Sequence, residues 1–285
     1  MLNESSTIQS AIEAATNANA LMYMPTPSLR PFIDRFVIVE FPFDRSLRLM
    51  PTTSFLAEFR FRGDCVLDSG AMLPRAVISG LRDTSVTRSY MGGSAILLTK
   101  FTEIGARAFL SNSLDTFFNN TLPMEKVLGS SHELGIIDEE LTAAKDHIER
   151  IQIAEGFLLE HLRKTRLDPI ISAAVARIEQ NGTTIRIEEL ARQMGLSQSA
   201  LERRFRRKVG TSPKRFESIL RFKNAIRLGV LGQDFTSIAH SAGYTDQSHF
   251  INHFKRATGF APSIFFRQSA ICKTAEFLQV AFTSN

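Results

Sequence analysis

The strongest constraint in this sequence is a pattern that occurs twice in its last third. Residues 187–216 are IEELARQMGLSQSALERRFRRKVGTSPKRF, and residues 235–265 are FTSIAHSAGYTDQSHFINHFKRATGFAPSIF. A repeated apolar pattern punctuated by glycines predicts one supersecondary unit used twice. The first halves of the two copies align at an offset of 48, which pairs Leu190, Ala191 and Gly195 with Ile238, Ala239 and Gly243. The second halves align at an offset of 49, which pairs Leu201, Phe205, Gly210, Pro213 and Phe216 with Phe250, Phe254, Gly259, Pro262 and Phe265.

Each copy predicts two helices separated by a tight turn. A short helix ends at a glycine, which tolerates the left-handed conformation that such a turn requires. Ser197 in the first copy, or Asp246 in the second, then supplies an N-cap for the next helix. Two apolar residues four positions apart mark the inner face of that helix, and a second glycine ends it. This order of elements is typical of a helix-turn-helix unit.

The charge of the chain is concentrated in the same region. Residues 168–268 hold 16 Lys or Arg and 8 Asp or Glu, a net charge of +8, whereas the remaining residues hold 18 and 21, a net charge of −3. A basic module beside an acidic one is expected when only the first binds a polyanion. An ordinary solvated helix face is the alternative for any single basic side chain.

Residues Asp168 to Gln268 resemble the DNA-binding domain of the AraC/XylS family of bacterial transcription regulators, most specifically in AGYTDQSHFINHFKRATGFAPSIFFR. The resemblance implies two helix-turn-helix motifs that are joined by a long helix and enter successive major-groove segments on one face of double-stranded DNA. The corresponding helix here is expected from about Pro213 to Leu231. Its length of about 27 Å is comparable with the ~34 Å of one DNA turn. Asp168 and Pro169 predict the start of the domain's first helix, which is expected to end at Asn181-Gly182.

The outward residues of the second helix in each unit are the candidate base contacts. An Arg suits guanine, a Glu suits cytosine, Gln or Asn suits adenine, and an apolar side chain suits the thymine methyl group. These positions match the base-contacting positions of the family: Ser199, Glu202, Arg203 and Arg206 in the first unit, and Gln247, Ser248, Ile251 and Asn252 in the second. Basic residues near the helix ends are the candidate phosphate contacts: Arg207, Lys214, Arg215, Lys255 and Arg256.

The N-terminal region is expected to be β-rich, which makes the whole chain α+β. RFVIVEF, FLAEFRFRGDCVLD, RAVISGL and SAILLTKF are short runs bounded by Pro, Gly and Asp, and predict a small sheet or barrel. EIGARAFLSNSLDTFF predicts a helix after it. The resemblance implies a sensor or oligomerisation role for this domain. Its arginines at 60, 62, 82 and 88 either hold an anionic effector or, as we favour here, are solvated strand residues.

Residues 133–166 predict helices with two possible partners. Leu141, Ile148 and Leu162 are spaced by seven or fourteen, and Ala144, Ile151 and Leu158 form a second series of sevens. The pattern fits a dimer seam or packing on the helices' own domain, and the second is favoured. The expected organisation is an arm at 1–24, the sensor domain at 25–132, linker or dimerisation helices at 133–166, the DNA-binding domain at 167–268, and a tail at 269–285 that docks through its apolar residues Phe277, Leu278, Val280 and Phe282.

The remaining features weigh against other classes of protein. Cys65 and Cys272 are far apart, which argues against a disulfide framework or a zinc site. His249 and His253 have zinc-compatible spacing but no third ligand beside them, so we expect no metal and no cofactor. No secretory signal or long apolar run is evident, which favours a cytoplasmic protein.

We therefore expect a transcription regulator, not an enzyme, that binds double-stranded DNA. Further expected partners are a small-molecule effector, RNA polymerase if the protein is an activator, and a second copy of the chain in a homodimer. The alternatives are a ligand-independent architectural protein and a DNA-directed enzyme, such as an alkyltransferase using Cys65.

Overall fold

The computed structural model of the chain describes residues 19–163, 167–181, 185–268 and 280–282. The described residues form two antiparallel sheets from the strands β1 Asn19–Tyr23, β2 Ile33–Phe41, β3 Arg45–Leu49, β4 Leu56–Arg62, β5 Cys65–Leu67, β6 Ala76–Ser79, β7 Val86–Tyr90, β8 Ser94–Phe101, β9 Thr121–Pro123 and β10 Val280–Phe282. Within the described residues neither sheet closes into a barrel. The larger sheet has the strand order β1-β2-β8-β4-β6-β9, and the smaller sheet has the order β10-β3-β7-β5.

The two sheets share an apolar core. Val37 and Val39 of β2 pack with Leu47 of β3 and with Cys65 and Tyr90 of the second sheet. The centre of the larger sheet is a long antiparallel pairing of β2 with β8, and β8 in turn pairs with β4. Because β2 and β8 are covered on both sides, they consist largely of apolar residues instead of alternating polar and apolar ones.

Nine helices follow among the described residues, and they confirm the helical expectations for the C-terminal region. The helix joining the two units was expected at 213–231 and is found one residue shorter. Among the residues that the structure describes, none of these helices is both long and apolar enough to cross a bilayer. The helices are α1 Ser131–Ala143, α2 His147–Glu160, α3 Pro169–Asn181, α4 Ile187–Gln193, α5 Gln198–Val209, α6 Pro213–Val230, α7 Phe235–Ser241, α8 Gln247–Thr258 and α9 Pro262–Gln268.

Helices α1 and α2 pack on the larger sheet of their own chain. Leu141 and Leu158 are fully buried, and the ring of Phe157 meets that of Phe59 edge-on at 5.7 Å. Ile148, a member of the predicted heptad series, is instead 61% exposed. The apolar spacing of residues 133–166 is therefore explained by packing within one domain.

Two sequence expectations in the N-terminal region are wrong. Residues 103–118 do not form one helix but two short 3-10 turns, Gly105–Ala108 and Leu114–Phe117. The polar residues at 111–113 between them are exposed, so no continuous apolar face exists to hold a longer helix against the core. The expected arm at 1–24 is wrong at its end, because residues 19–23 are strand β1, paired with β2; residues 1–18 lie outside the described residues.

The tail contributes a strand to the N-terminal region, as its apolar character suggested. Residues 280–282 pair antiparallel with β3 at the edge of the smaller sheet. The predicted docking residues Phe277 and Leu278 lie outside the described residues. The backbone pairing nevertheless joins the end of the chain to the sheet domain.

The hydrophobic cores cross the expected domain boundaries. One cluster runs from the sheets through α1 to α3 into the first helical unit, ending at Phe205 and Phe216. A second cluster forms the core of the second helical unit and includes Met50, which follows β3. Each helical unit is thus anchored on the N-terminal region by apolar packing.

Candidate nucleic-acid interface

The first helical unit is α4, a turn and α5, and its geometry follows from a few local interactions. Gly195 lies in the turn after α4 and has a φ of +69°, which is in the left-handed region. The Ser197 hydroxyl then accepts a hydrogen bond from the Ala200 amide and caps α5. Leu201 and Phe205 are fully buried beneath the helix, which confirms the predicted inner face.

The second unit, α7 and α8, repeats this construction. Gly243 has φ of +77°, and the Asp246 carboxylate accepts from the His249 amide at 2.7 Å as the cap of α8. Phe250 and Phe254 are fully buried, four residues apart. The predicted equivalence of the two units is confirmed at the turn, the cap and the inner face.

The opposite faces of α5 and α8 carry the predicted base-contacting residues. In α5, Ser199, Arg203 and Arg206 are exposed and Glu202 is half-buried; in α8, Gln247, Ser248 and Asn252 are exposed and Ile251 is half-buried. Each helix therefore brings its four candidates to one accessible polar face.

Some of these polar groups already have partners, and others are available to a ligand. Glu202 accepts from Gln198 at 3.1 Å and lies 3.5 Å from the guanidinium of Arg206. The side chain of Gln247 accepts from the Thr236 hydroxyl at 3.0 Å. Arg203 has no side-chain partner among the described residues. Its guanidinium is therefore an available donor on the exposed face of α5.

The predicted phosphate contacts fall into two groups. Arg207, Lys255 and Arg256 are exposed at the ends of the two helices. Lys214 instead donates to the fully buried Glu217 at 2.7 Å, and the guanidinium of Arg215 lies over the ring of Phe118, 5.1 Å from its centre. The last two side chains are therefore also engaged in interactions within the protein.

A further ion pair, not foreseen from the sequence, fixes α5 against α3. Arg204 donates to both carboxylate oxygens of Asp168, at 2.7 and 2.9 Å. The same carboxylate caps α3 by accepting from the Ile170 and Ile171 amides. Burial alone would raise the pKa of Asp168, but the hydrogen bonds from Arg204 and the Ile171 amide lower it below the usual value. Asp168 therefore acts both as the predicted N-cap and as a clamp on α5.

One of the two histidines of α8 has a structural role. His249 is exposed, whereas His253 is 8% exposed and bonded through its two ring nitrogens to the hydroxyls of Tyr244, at 2.9 Å, and Ser218, at 3.2 Å. Burial, with the nearby positive charges of Arg256 and Arg221, lowers the pKa of His253 to about 4. The neutral imidazole ties α8 to the turn before it and to α6.

Comparisons with known proteins identify this arrangement. A family model described as a helix-turn-helix domain matches residues 190–268. An AraC-like transcription regulator of Streptomyces antibioticus is 23% identical over 220 residues, covering 68% of this chain and 69% of that protein. The matched region, residues 190–268, is similar to the helix-turn-helix domain of AraC-like regulators, and we refer to it as the AraC-type domain.

Other relatives match this AraC-type domain or the whole chain. The raffinose operon transcriptional regulatory protein RafR of Pediococcus pentosaceus is 35% identical over 98 residues, which is 34% of this chain and 35% of RafR. The chain thus matches only about a third of RafR's length. Among solved structures, ToxT of Vibrio cholerae covers 88% of this chain and 97% of its own at 12% identity and a TM-score of 0.44. The C-terminal domain of AraT, a response regulator of Geobacillus stearothermophilus, covers 36% of this chain and 88% of its own at 27% identity and a TM-score of 0.34.

The N-terminal region faces the side of α5 that carries the candidate base-contacting residues. Ser113 and Asp115, around the second 3-10 turn, form one wall of a cleft of about 560 Å³. The opposite wall is α5 itself, through Gln198, Ser199, Glu202, Arg203, Arg206 and Arg207. An acidic side chain therefore lies across the cleft from the arginines of the first AraC-type motif.

The N-terminal region also forms hydrogen bonds with the C-terminal end of α8. Arg48 donates to the Thr258 carbonyl at 2.8 Å, and its guanidinium lies 4.5 Å from the centre of the Phe260 ring. The backbone amide of Ser85 donates to the Ala257 carbonyl at 2.8 Å, and the Ser85 hydroxyl donates to the Thr258 carbonyl. The last carbonyls of a helix lack internal partners, so these donors complete the helix end.

The expectation that the N-terminal arginines are solvated is wrong for three of the four. Arg60, Arg82 and Arg88 are at most 5% exposed, and only Arg62 is exposed. Glu58, also buried, lies between Arg60 and Arg88 and is bonded to the latter. Strand alternation did not reveal this, because both faces of these strands are covered. The available signal was the pair Glu58 and Arg60, two residues apart and separated by Phe59, within a run rich in Leu and Phe.

Cys65 lies in the same interior and is poorly suited to nucleophilic chemistry. The residue is fully buried. Burial, and then the negative charge of Glu58, raises the pKa of Cys65 to about 12, so the thiol is protonated at neutral pH. The alkyltransferase alternative loses its candidate nucleophile.

Proposed function

We propose that this protein is a sequence-specific DNA-binding transcription regulator in which α5 and α8 enter adjacent segments of the major groove. The observation that carries the proposal is the presence of two helix-turn-helix units with the same turn, cap and buried pair, each exposing a polar face. Helix α6, 18 residues and about 27 Å long, joins the units. This length is compatible with two contacts about one DNA turn apart.

The exposed side chains suggest distinct roles in DNA recognition. Arg203, which has no described side-chain partner, is proposed to donate to guanine, and Asn252 to contact adenine. The other proposed base contacts are Ser199, Glu202, Arg206, Gln247, Ser248 and Ile251. Arg207, Lys214, Arg215, Lys255 and Arg256 are proposed to contact phosphates, with Lys214 and Arg215 exchanging their present partners for DNA.

The N-terminal region is proposed to regulate DNA binding. Its contacts with the face of α5 and the end of α8 mean that a change in this region alters both recognition helices. A small-molecule effector or pairing with a second copy of the chain would supply such a change. We propose domain boundaries at 19–132, 133–166 and 167–268, with β1 included in the sheet domain and with α1 and α2 coupling the sheets to the AraC-type domain.

The test separates base contacts from phosphate contacts. Sites selected from a random DNA pool by the full chain provide the specific target, and affinities are measured by fluorescence anisotropy on that target and on scrambled DNA. Arg203→Ala is expected to cost about 1–3 kcal/mol on the target and to relax preference at one base position. Lys255→Ala is expected to weaken both DNAs equally and to reduce the slope of log affinity against log salt by about 1.

The matched control is Arg227→Ala, which removes an exposed arginine from α6 outside the proposed contact faces. This variant is expected to bind like the unmodified protein. Equal losses on target and scrambled DNA for Arg203→Ala would refute its role in base recognition. Failure of the selection to enrich any sequence would refute sequence-specific binding itself.

A further inference from the structure

The buried arginines of the N-terminal region outnumber the buried carboxylate among them. Glu58 serves two of the three: it is bonded to Arg88 at 2.5 Å and lies 3.9 Å from Arg60. Arg88 also donates to the hydroxyls of Ser79 and Thr121. Arg60 donates to the Gly63 and Leu73 carbonyls. Both of these guanidinium groups are therefore supplied with acceptors by the fold.

Arg82 is the exception. Its residue is 5% exposed, yet its side chain has no hydrogen bond or ion pair with any residue that the structure describes. Burial, with the positive charge of Arg88, lowers its pKa to about 10, and no carboxylate acts in the opposite direction. The Arg82 nitrogens are not among the described side-chain atoms that are both fully buried and without a partner, so the small exposed part of the residue includes the guanidinium. The group has lost most of its hydration without gaining an anion or acceptors from the described residues.

The position of Arg82 is held rigidly by its backbone. Its amide donates to the Thr52 carbonyl at 3.1 Å, and its carbonyl accepts from the Thr52 amide at 3.0 Å. Beside it in the paired segment, the Thr53 hydroxyl is buried without a hydrogen-bond partner among the described residues. The neighbouring Leu81 carbonyl accepts from the Asn119 amide. The backbone thus fixes the position from which the Arg82 side chain extends.

This location adjoins both contacts with the AraC-type domain. Ser85, three residues after Arg82, donates to the last carbonyls of α8. Phe55, three residues after Thr52, packs beside Gly210 at the end of α5. A group bound at Arg82 would therefore lie within a few residues of the elements that support each recognition helix.

We propose that Arg82 anchors a binding site for a small oxyanion, the carboxylate or phosphate group of an effector molecule. The planar guanidinium matches either group with two parallel hydrogen bonds. The ligand supplies the negative charge that the fold omits, so the bound state is more stable than the free state. The regulatory part of this inference, in which the anion changes DNA affinity, rests on the proposed function; the binding site itself does not.

The test uses thermal unfolding of the full chain in buffers of matched ionic strength containing chloride, acetate or phosphate. The variants are Arg82→Met, which keeps an apolar stem of similar length, and Arg82→Lys, which keeps the charge without the planar fork. Arg62→Met is the control, since Arg62 is an exposed arginine of the same N-terminal region, at the end of β4. Acetate and phosphate distinguish the two sources of the oxyanion.

Relative to chloride, one or both oxyanions should raise the Tm of the unmodified protein and of the Arg62 variant by about 2–4 °C. Arg82→Lys should retain less than half of that shift. Arg82→Met should lose it and, in chloride, should unfold at the same or a higher temperature than the unmodified protein, because a largely buried charge with no ion-pair partner among the described residues has been removed.

The site is overturned if neither oxyanion stabilises the unmodified protein beyond chloride, or if the Arg82 variants respond as fully as it does. If Arg82→Met does not fold, the Arg82→Lys comparison decides. DNA affinity measured with and without the effective oxyanion then tests the regulatory step. An intact Tm response in a protein that binds no DNA would refute the proposed function alone, whereas specific DNA binding without any Tm response would refute the anion site alone.

Discussion

Acidification is expected to weaken the second AraC-type motif through His253. In the folded protein this imidazole is neutral, because its pKa is lowered from about 6.5 to about 4 by burial and nearby arginines. The unfolded chain, with the ordinary pKa, takes up a proton first as the pH falls. The stabilising contribution is therefore fully present above pH 6.5 and is lost progressively between about pH 6.5 and pH 4.

The size of the effect follows from the two pKa values. A shift of one unit corresponds to about 1.4 kcal/mol, so the complete loss approaches about 3 kcal/mol. Between pH 7.5 and pH 5, linkage gives a loss of about 2 kcal/mol from this residue. That amount is a large share of the marginal stability of a small domain. The loss of stability at pH 5 should appear as faster hydrogen exchange in α8 and as a lower free energy of unfolding.

The assay compares the unmodified protein with His253→Gln, whose amide retains a donor and an acceptor but does not titrate. Denaturant unfolding, together with hydrogen exchange of the α8 amides, is measured at both pH values. His253→Gln should lose about 2 kcal/mol less than the unmodified protein over this interval. His249→Gln, a change at the exposed histidine of the same helix, should behave like the unmodified protein. Identical pH sensitivity in the unmodified and His253→Gln proteins would show that the buried imidazole does not control this transition.

Two further changes test the contacts around the first recognition helix. Asp115→Asn should raise DNA affinity by about threefold to tenfold at low salt, and less at high salt, because it removes a negative charge across the cleft from Arg203. Fluorescence anisotropy measures the affinity, and Asp68→Asn, just after β5, is the control. An unchanged or weaker affinity for Asp115→Asn would contradict the expectation. Asp168→Ala should lower the free energy of unfolding by about 1 kcal/mol from loss of the α3 cap alone. Denaturant unfolding measures this loss, and a variant as stable as the unmodified protein would show that neither the cap nor the clamp on Arg204 contributes.

The helical half of the protein was largely predictable because its signals are local. Gly195 and Gly243, the caps Ser197 and Asp246, and apolar residues four apart all act within one turn of helix or one tight turn. Neighbours along the chain determine these interactions, so a linear pattern suffices. Residues 103–118 show the limit, since helix-compatible residues become two 3-10 turns where packing does not support a longer helix.

The sequence by itself determined that this chain contains two equivalent helix-turn-helix units, where their helices begin and end, and which faces are apolar. Tertiary structure alone decided that Asp115 lies opposite α5, that Arg48 and Ser85 complete the end of α8, and that the Arg82 side chain is largely buried with no partner among the described residues. These outcomes depend on residues from distant segments meeting in space. Whether a charged strand residue faces solvent or a covered interior is set by the layers packed on each side of its sheet, and the alternation of residues along the strand does not encode those layers.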